Sequence, residues 1–179
     1  KNDIKEIDDE DINIDTVAEY LDIFNRLFLT ENQPPFATRI RSSVRVKQAE
    51  KRHFVEPSLP CAVLGVNYER LIGDLETAGF LFEALCERDL RIYAEACDAA
   101  LYHYQDYAGK EIDAVVEFKN GDWIAFEIKL GANQIDAAAE NLLEIRDAVA
   151  EEAGGMLPKA LCVICGMSNA VYQRPDGVY

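Results

Sequence analysis

Two acids and a lysine stand close together in the stretch EIDAVVEFKNGDWIAFEIK, residues 111–129. Asp113 and Glu127 are hard oxygen donors of the kind that Mg²⁺ or Mn²⁺ takes. Lys129 is a cation that can neutralise the acids. Whether the three can act together depends on the turn between them. A two-residue Asn120-Gly121 loop turns Asp113 away from Glu127 and mixes apolar with charged residues on each face. A three-residue loop, Lys119-Asn120-Gly121, with Gly121 in the left-handed region, sets Asp113 opposite Glu127 and Glu111 opposite Lys129. One face then carries Ile112, Ala114, Val116, Phe118, Ile124, Phe126, Ile128 and Leu130, all apolar. The other carries Glu111, Asp113, Val115, Glu117, Trp123, Ala125, Glu127 and Lys129. Register follows the hydrophobic pattern, so the three-residue loop is preferred. Opposed carboxylates ~5 Å apart repel, and a cation between them relieves the repulsion. That cation is either Lys129 or a metal.

The elements that must position this hairpin follow from spacing. Residues 69–95 read as helix, with a break near Gly73 or Gly79. Within it, Glu83 shares an apolar stripe with Gly79, Cys86 and Leu90. A carboxylate there needs a partner, or it must reach solvent at the edge of the core. Residues 92–109 contain a strand leading into the hairpin, and His103, between Tyr102 and Tyr104, reads as structural. After Leu130-Gly131 a helix runs from about Asn133 to Ala153, burying Ile135, Ala138, Ala139, Leu142, Leu143 and Ile145. KALCVICG, residues 159–166, then reads as a buried strand holding Cys162 and Cys165. Helix, strand, hairpin, helix, strand is an α/β order. It predicts a mixed sheet with helices on both faces, an α/β/α sandwich.

The 179 residues suffice for one core plus a small module, and a hydrophobic fraction of 49% is that of a globular protein. No apolar run reaches the ~20 residues of a membrane span, and the acidic start KNDIKEIDDEDINID is no secretory leader. Five scattered cysteines argue against a disulfide framework and for the cytoplasm. The first residue is not Met, and RPDGVY ends like a hairpin lacking its second strand, so a piece of a longer protein is expected. The net charge of −15 counts against non-specific coating of nucleic acid. One basic region stands out. After a helix capped at Asp15 and striped by Val17, Tyr20, Leu21, Phe24, Leu27 and Phe28, the strand RIRSSVRVK places Arg39, Arg41, Arg45 and Lys47 on one face, and Lys51 and Arg52 extend the basic region. A helix followed by a basic ribbon reads as the second half of a winged helix contacting DNA. The alternative is a solvated strand face, or a surface docked on the acidic remainder of the protein. No GxxxxGK[ST] phosphate loop and no GxSxG elbow is present.

Asp113, thirteen intervening residues, then Glu127-Ile128-Lys129 resembles the PD-(D/E)XK nuclease signature, with Glu83 as the further acid that many members carry on an upstream helix. The resemblance implies Asp113, Glu127 and the Ile128 carbonyl as metal ligands. It implies Lys129 as the residue that orients or activates water, with Glu83 assisting and Gln134 polar at the head of the next helix. Mg²⁺ or Mn²⁺ is the implied cofactor and nucleic acid the implied substrate. More broadly, DTVAEYL, QPP, KRHFVEPSLPCAVLG, GFLFEALC, EIDAVVEF, AFEIKLG and RPDGVY, in that order, are similar to the C-terminal region of prokaryotic AAA-type ATPases. In those, an ATPase module is followed by a winged helix and a restriction-endonuclease-like domain of unknown function. The implied organisation is an acidic arm over 1–14, a partial winged-helix segment over 15–57 and a nuclease-like domain over 58–179. The ATPase module is missing, so ATP belongs to no residue of this chain, and Glu56-Pro57 replaces the usual Asp-Pro. Implied partners are DNA, the protein's own ATPase module and other proteins, with no membrane. A nuclease-fold module without activity, serving docking or regulation, is the competing expectation.

Overall fold

Alternating apolar residues, with the turn residues Asn120 and Gly121 between two runs, build the centre of the molecule. The computed structural model describes residues 13–38, 49–106, 109–152 and 154–179. The first twelve residues of the acidic arm and the basic face of Arg39, Arg41, Arg45 and Lys47 lie outside the described residues.

The chain runs through α1 (Ile14–Arg26), β1 (Thr30–Gln33), β2 (Lys51–Phe54), α2 (Ser58–Leu64), α3 (Tyr68–Gly73), α4 (Leu75–Ala96), β3 (Ala99–Gln105), β4 (Glu111–Phe118) and β5 (Trp123–Lys129). A 3₁₀ turn (Ala132–Gln134), α5 (Ile135–Glu151) and β6 (Ala160–Cys165) follow. β1 and β2 form a separate antiparallel ribbon. β3, β4, β5 and β6 form a sheet in that order, antiparallel except for the parallel pair β5–β6. The long connection through α5 is what a parallel pair requires.

The sheet is covered on both faces. Phe82, Cys86, Leu90 and Ala94 of α4 pack on Leu101, Ala114, Val116, Phe126 and Ile128. Ala139, Leu142, Ile145 and Val149 of α5 pack on Val115, Trp123, Ala125 and Leu161 from the other side. The architecture is therefore a mixed α/β sheet layered between helices, in the expected element order. Trp123, 1% exposed, donates its indole N–H to the Met156 carbonyl at 2.8 Å, and its ring meets Phe36 at 4.9 Å. No helix among the described residues is long and apolar enough to cross a membrane.

The three-residue turn is the one the pattern predicts. Ala114 pairs with Phe126 and Glu117 with Trp123, and Gly121 has φ of 86°. Several local expectations need correction. Ile112 does not share the Ala114 face. Between β3 and β4 the register slips: Tyr102 pairs with Val115 but Tyr104 pairs with Ile112. β4 therefore carries an extra residue at Asp113–Ala114, a β-bulge, and Ile112 swings to the α5 side with Val115. The ladder of β4 with β5 stops at Ala114–Phe126, so Glu111 does not face Lys129. Instead Glu111 is exposed and accepts from the Gln105 side chain.

At the first helix, Asn13 rather than Asp15 is the cap, accepting from the Asp15 N–H at 3.1 Å. The stripe on α1 is not buried among the described residues; Tyr20, Phe24, Leu27 and Phe28 are exposed. The break before α4 falls at Asp74, which caps Thr77, and Gly79 lies inside the helix. SLPCAVL forms the short helix α2, closed by Gly65 at φ of 62°. Cys162 and Cys165 are half-buried, because only Leu161 of β6 is fully covered.

Candidate functional site

The bulge aims Asp113. Its Oδ2 accepts from the Ile128 backbone N–H at 2.8 Å and from Lys129 Nζ at 2.9 Å. Glu127, 4% exposed, places Oε2 2.6 Å from the same ammonium, while its Oε1 accepts from the Asn141 side chain at 2.9 Å. Asn141 also donates to the Glu111 carbonyl at 2.8 Å, so one amide from α5 ties the start of β4 to the carboxylate on β5. The pair that spacing predicted is thus assembled, with Lys129 Nζ between the acids. Asp113 Oδ1 stays out of this arrangement and lies 3.9 Å from Lys51.

Glu83 comes to the same place from α4. Its partner is Lys51 of β2, whose ammonium also lies 3.1 Å from Glu87 Oε1. Glu87 is 1% exposed, and its other oxygen is 2.9 Å from Nδ1 of the buried His53. The Glu87 and His53 groups are within ion-pair range but are poorly aligned for a hydrogen bond. A cleft of about 260 Å³ reaches this cluster at Glu83 and Lys129, and is lined also by Glu76, Gly79, Phe80, Ile128 and Gln134. Gln134 accepts from the Gly131 N–H at 3.2 Å at the head of α5. Glu83, Asp113, Glu127, Ile128, Lys129 and Gln134 are therefore brought together. A larger cleft of about 990 Å³ lies at the β4–β5 turn, beside Phe36, Tyr102 and Trp123, away from all of them.

Lys51, His53, Glu87 and Asn141 belong to the cluster, although the sequence assigns Lys51 only to the basic region and gives the other three no place in the site. Glu87 follows Glu83 by one helical turn, and Asn141 interrupts the apolar stripe of α5. Each is a polar residue at a core-facing position, which is a readable signal. Lys51 and His53 alternate on a short strand whose destination only the tertiary fold reveals.

The electrostatics follow from burial and from the crowding of like charges. Burial, then the charge of Asp113, pushes the Glu127 carboxyl up to about 7, against the pull of Lys129 and Asn141. Burial also raises Glu83 above the usual carboxylate range, only partly offset by Lys51. For both lysines burial opposes the charge, but the surrounding carboxylates outweigh it, so Lys51 and Lys129 are held more firmly protonated than usual. Elsewhere, burial pushes the Cys86 thiol up to about 11 and His103 below its ordinary value.

Among the described residues no three or more His, Cys, Asp and Glu side chains form a metal cage by themselves. Mg²⁺ does not need one, since it commonly takes one or two carboxylates and completes its shell with waters and substrate phosphate. Asp113, Glu127 and the Ile128 carbonyl are such a donor set, provided that the Lys129 ammonium moves from between the acids. The residues present fit the ion.

No curated protein and no solved structure matches the chain. Residues 2–70 match a domain of unknown function, DUF8612, which takes in α1, the β1–β2 ribbon and the helix after it. Residues 78–178 match a second one, DUF4143, which covers most of α4, the whole four-stranded sheet and α5. That match spans more than half of the chain and holds Glu83, Asp113, Glu127 and Lys129, and the chain belongs to the DUF4143 family.

Proposed function

We propose that the sheet domain is a metal-dependent phosphodiesterase module with a restriction-endonuclease-like fold, acting on nucleic acid. In the whole protein it would follow an AAA-type ATPase module. One observation carries the reading: Asp113 and Glu127 converge on Lys129 Nζ at 2.9 and 2.6 Å, and Lys129 lines an open cleft. Bound Mg²⁺ or Mn²⁺ would polarise a phosphoryl oxygen and lower the pKa of a bound water. Asp113 and Glu127 would hold the ion through carboxylate oxygens, and the Ile128 carbonyl would add a third. The Ile128 N–H and the Asn141 amide fix the two acids in place before any ligand arrives. Lys129, released from the acids, would hold the attacking water as hydroxide. Glu83 and Gln134 would meet the substrate from the far wall of the cleft.

The test is cleavage of single- and double-stranded DNA and RNA by the purified chain with Mg²⁺ or Mn²⁺. Glu127→Gln and Lys129→Met should each abolish cleavage while the circular dichroism stays native. Equal cleavage by wild type and both variants would sink the assignment.

A specific observation supports a second reading, a docking or regulatory module without chemistry. Every acid of the cluster already has a cation from within: Lys129 serves Asp113 and Glu127, and Lys51 serves Glu83 and Glu87. Absence of cleavage and of cation binding in the wild type would favour that reading, with the ATPase module or another protein as partner.

A further inference from the structure

The acidic cluster is served by two lysines of different origin. Lys129 stands on β5, within the DUF4143 match. Lys51 stands on β2, within the DUF8612 match, and reaches the cluster because the β1–β2 ribbon lies against the sheet and α4. Its ammonium pairs with Glu83 and lies 3.1 Å from Glu87 Oε1 and 3.9 Å from Asp113 Oδ1. That last oxygen is the one Asp113 leaves free of Ile128 and Lys129, and it is the natural donor to an ion. Lys51 is therefore the positive charge that already stands where the free side of Asp113 and Glu83 would receive a cation.

Several contacts keep the ribbon in that position. His53, two residues on and on the same strand face, packs against Glu87 at 2.9 Å. Arg91 of α4 holds Glu31 of β1 at 2.9 Å. The Gln33 side chain, fully buried, donates to the Tyr102 carbonyl at 2.8 Å. Glu87 itself is too deeply buried to lose Lys51 without a replacement charge.

We propose that Lys51 is a further residue of the site, a resident counter-ion from the preceding segment that competes with a divalent cation for Asp113 and Glu83. The proposal rests on the metal-site reading above. The seating of the β1–β2 ribbon then sets the affinity of the site. With Lys51 docked, an incoming ion meets a positive charge at close range. With Lys51 withdrawn, it meets Glu83 and Glu87 without a counter-charge, and an Asp113 whose free oxygen faces no cation.

The measurement is Mn²⁺ binding to the full chain by calorimetry and by loss of the free-ion electron paramagnetic signal. Lys51→Met should bind Mn²⁺ at least about tenfold more tightly than wild type, since removing a unit charge at this range is a large electrostatic change. Lys51→Arg should keep the wild-type affinity, and adding Asp113→Asn to Lys51→Met should remove the gain. Should Lys51→Met not fold, the pair Lys51→Met and Glu87→Gln removes the stranded buried acid and is read by the same criteria. Binding by wild type with equal or weaker binding by the Met variant overturns the role of Lys51 and leaves the metal-site reading standing. Binding by the Met variant alone upholds Lys51 as the occupant and removes the metal-dependent reading for the natural chain. Absence of binding in both overturns the two together.

Discussion

Glu127 offers a quantitative handle on the site that needs neither metal nor substrate. Its carboxyl is held near 7 in the fold, against an ordinary value of 4.5. The sign follows from proton linkage. Between these values the unfolded chain has lost the proton and the native chain keeps it, so stability falls as pH rises. The contribution is fully present below the ordinary carboxyl value and is lost as pH climbs through about 7. At about 1.4 kcal/mol per pH unit, the loss amounts to about 3 kcal/mol. Glu127→Gln removes the titration and keeps the shape. The amide still accepts from Asn141, while its N–H₂ faces Lys129, a penalty that does not vary with pH in this range.

The assay is urea unfolding of wild type and Glu127→Gln from pH 5 to pH 8.5. Titration of groups remote from Glu127 cancels in the difference between the two proteins. The variant should gain about 2–3 kcal/mol on wild type across that interval, with most of the change complete by pH 8. A difference that is flat with pH would show Glu127 ionised throughout. Lys129 would then outweigh burial, and the dominance of burial at the acid pair would be refuted.

Two other substitutions probe the scaffold. Asn141→Ala strips the amide from both Glu127 and the Glu111 carbonyl; it should cost about 1–3 kcal/mol in urea unfolding and move the Glu127 titration further upward. Gly121→Ala forces a side chain into φ of 86° with its Cβ 3.3 Å from Met156 Cε, and should cost about 1–2 kcal/mol, read as a lower melting temperature.

The hairpin is legible in the sequence because its two signals agree. Asn120-Gly121 marks the turn, and only one register collects the apolar residues of both strands on common faces. The helix after Gly131 is legible from its long stripe, and the acid pair follows from the hairpin. The bulge at Asp113 is hidden because Ile112 and Ala114 are both apolar, so alternation continues through it whichever face Ile112 takes. Lys51 and His53 are hidden for a different reason. Lys51 next to Arg52 reads as an extension of the solvated basic region, and nothing local says that the strand KRHF folds back onto α4. Asp15 reads as the cap in place of Asn13 because both are good caps, two positions apart.

The bulge, the ribbon and the acid pair form one mechanical unit. An extra residue in β4 leaves backbone groups beside Asp113 without their regular ladder partners. The Ile128 N–H finds the Asp113 carboxylate, and the Tyr102 carbonyl finds the Gln33 amide, which also approaches the Asp113 carbonyl at 3.4 Å. Pro35 bridges to His103 next to the slip, and the Phe36 N–H donates to the His103 carbonyl at 2.6 Å. The segment around β1 thus completes the backbone at the irregularity, while β2 delivers Lys51 to the carboxylate that the irregularity aims. A regular β4 would leave Asp113 on the sheet face and give Gln33 no carbonyl to meet. The orientation of Asp113 and the seating of the ribbon therefore depend on each other. A change in the first segment that unseats the ribbon must be felt at the acids, whether those acids hold a metal or a partner.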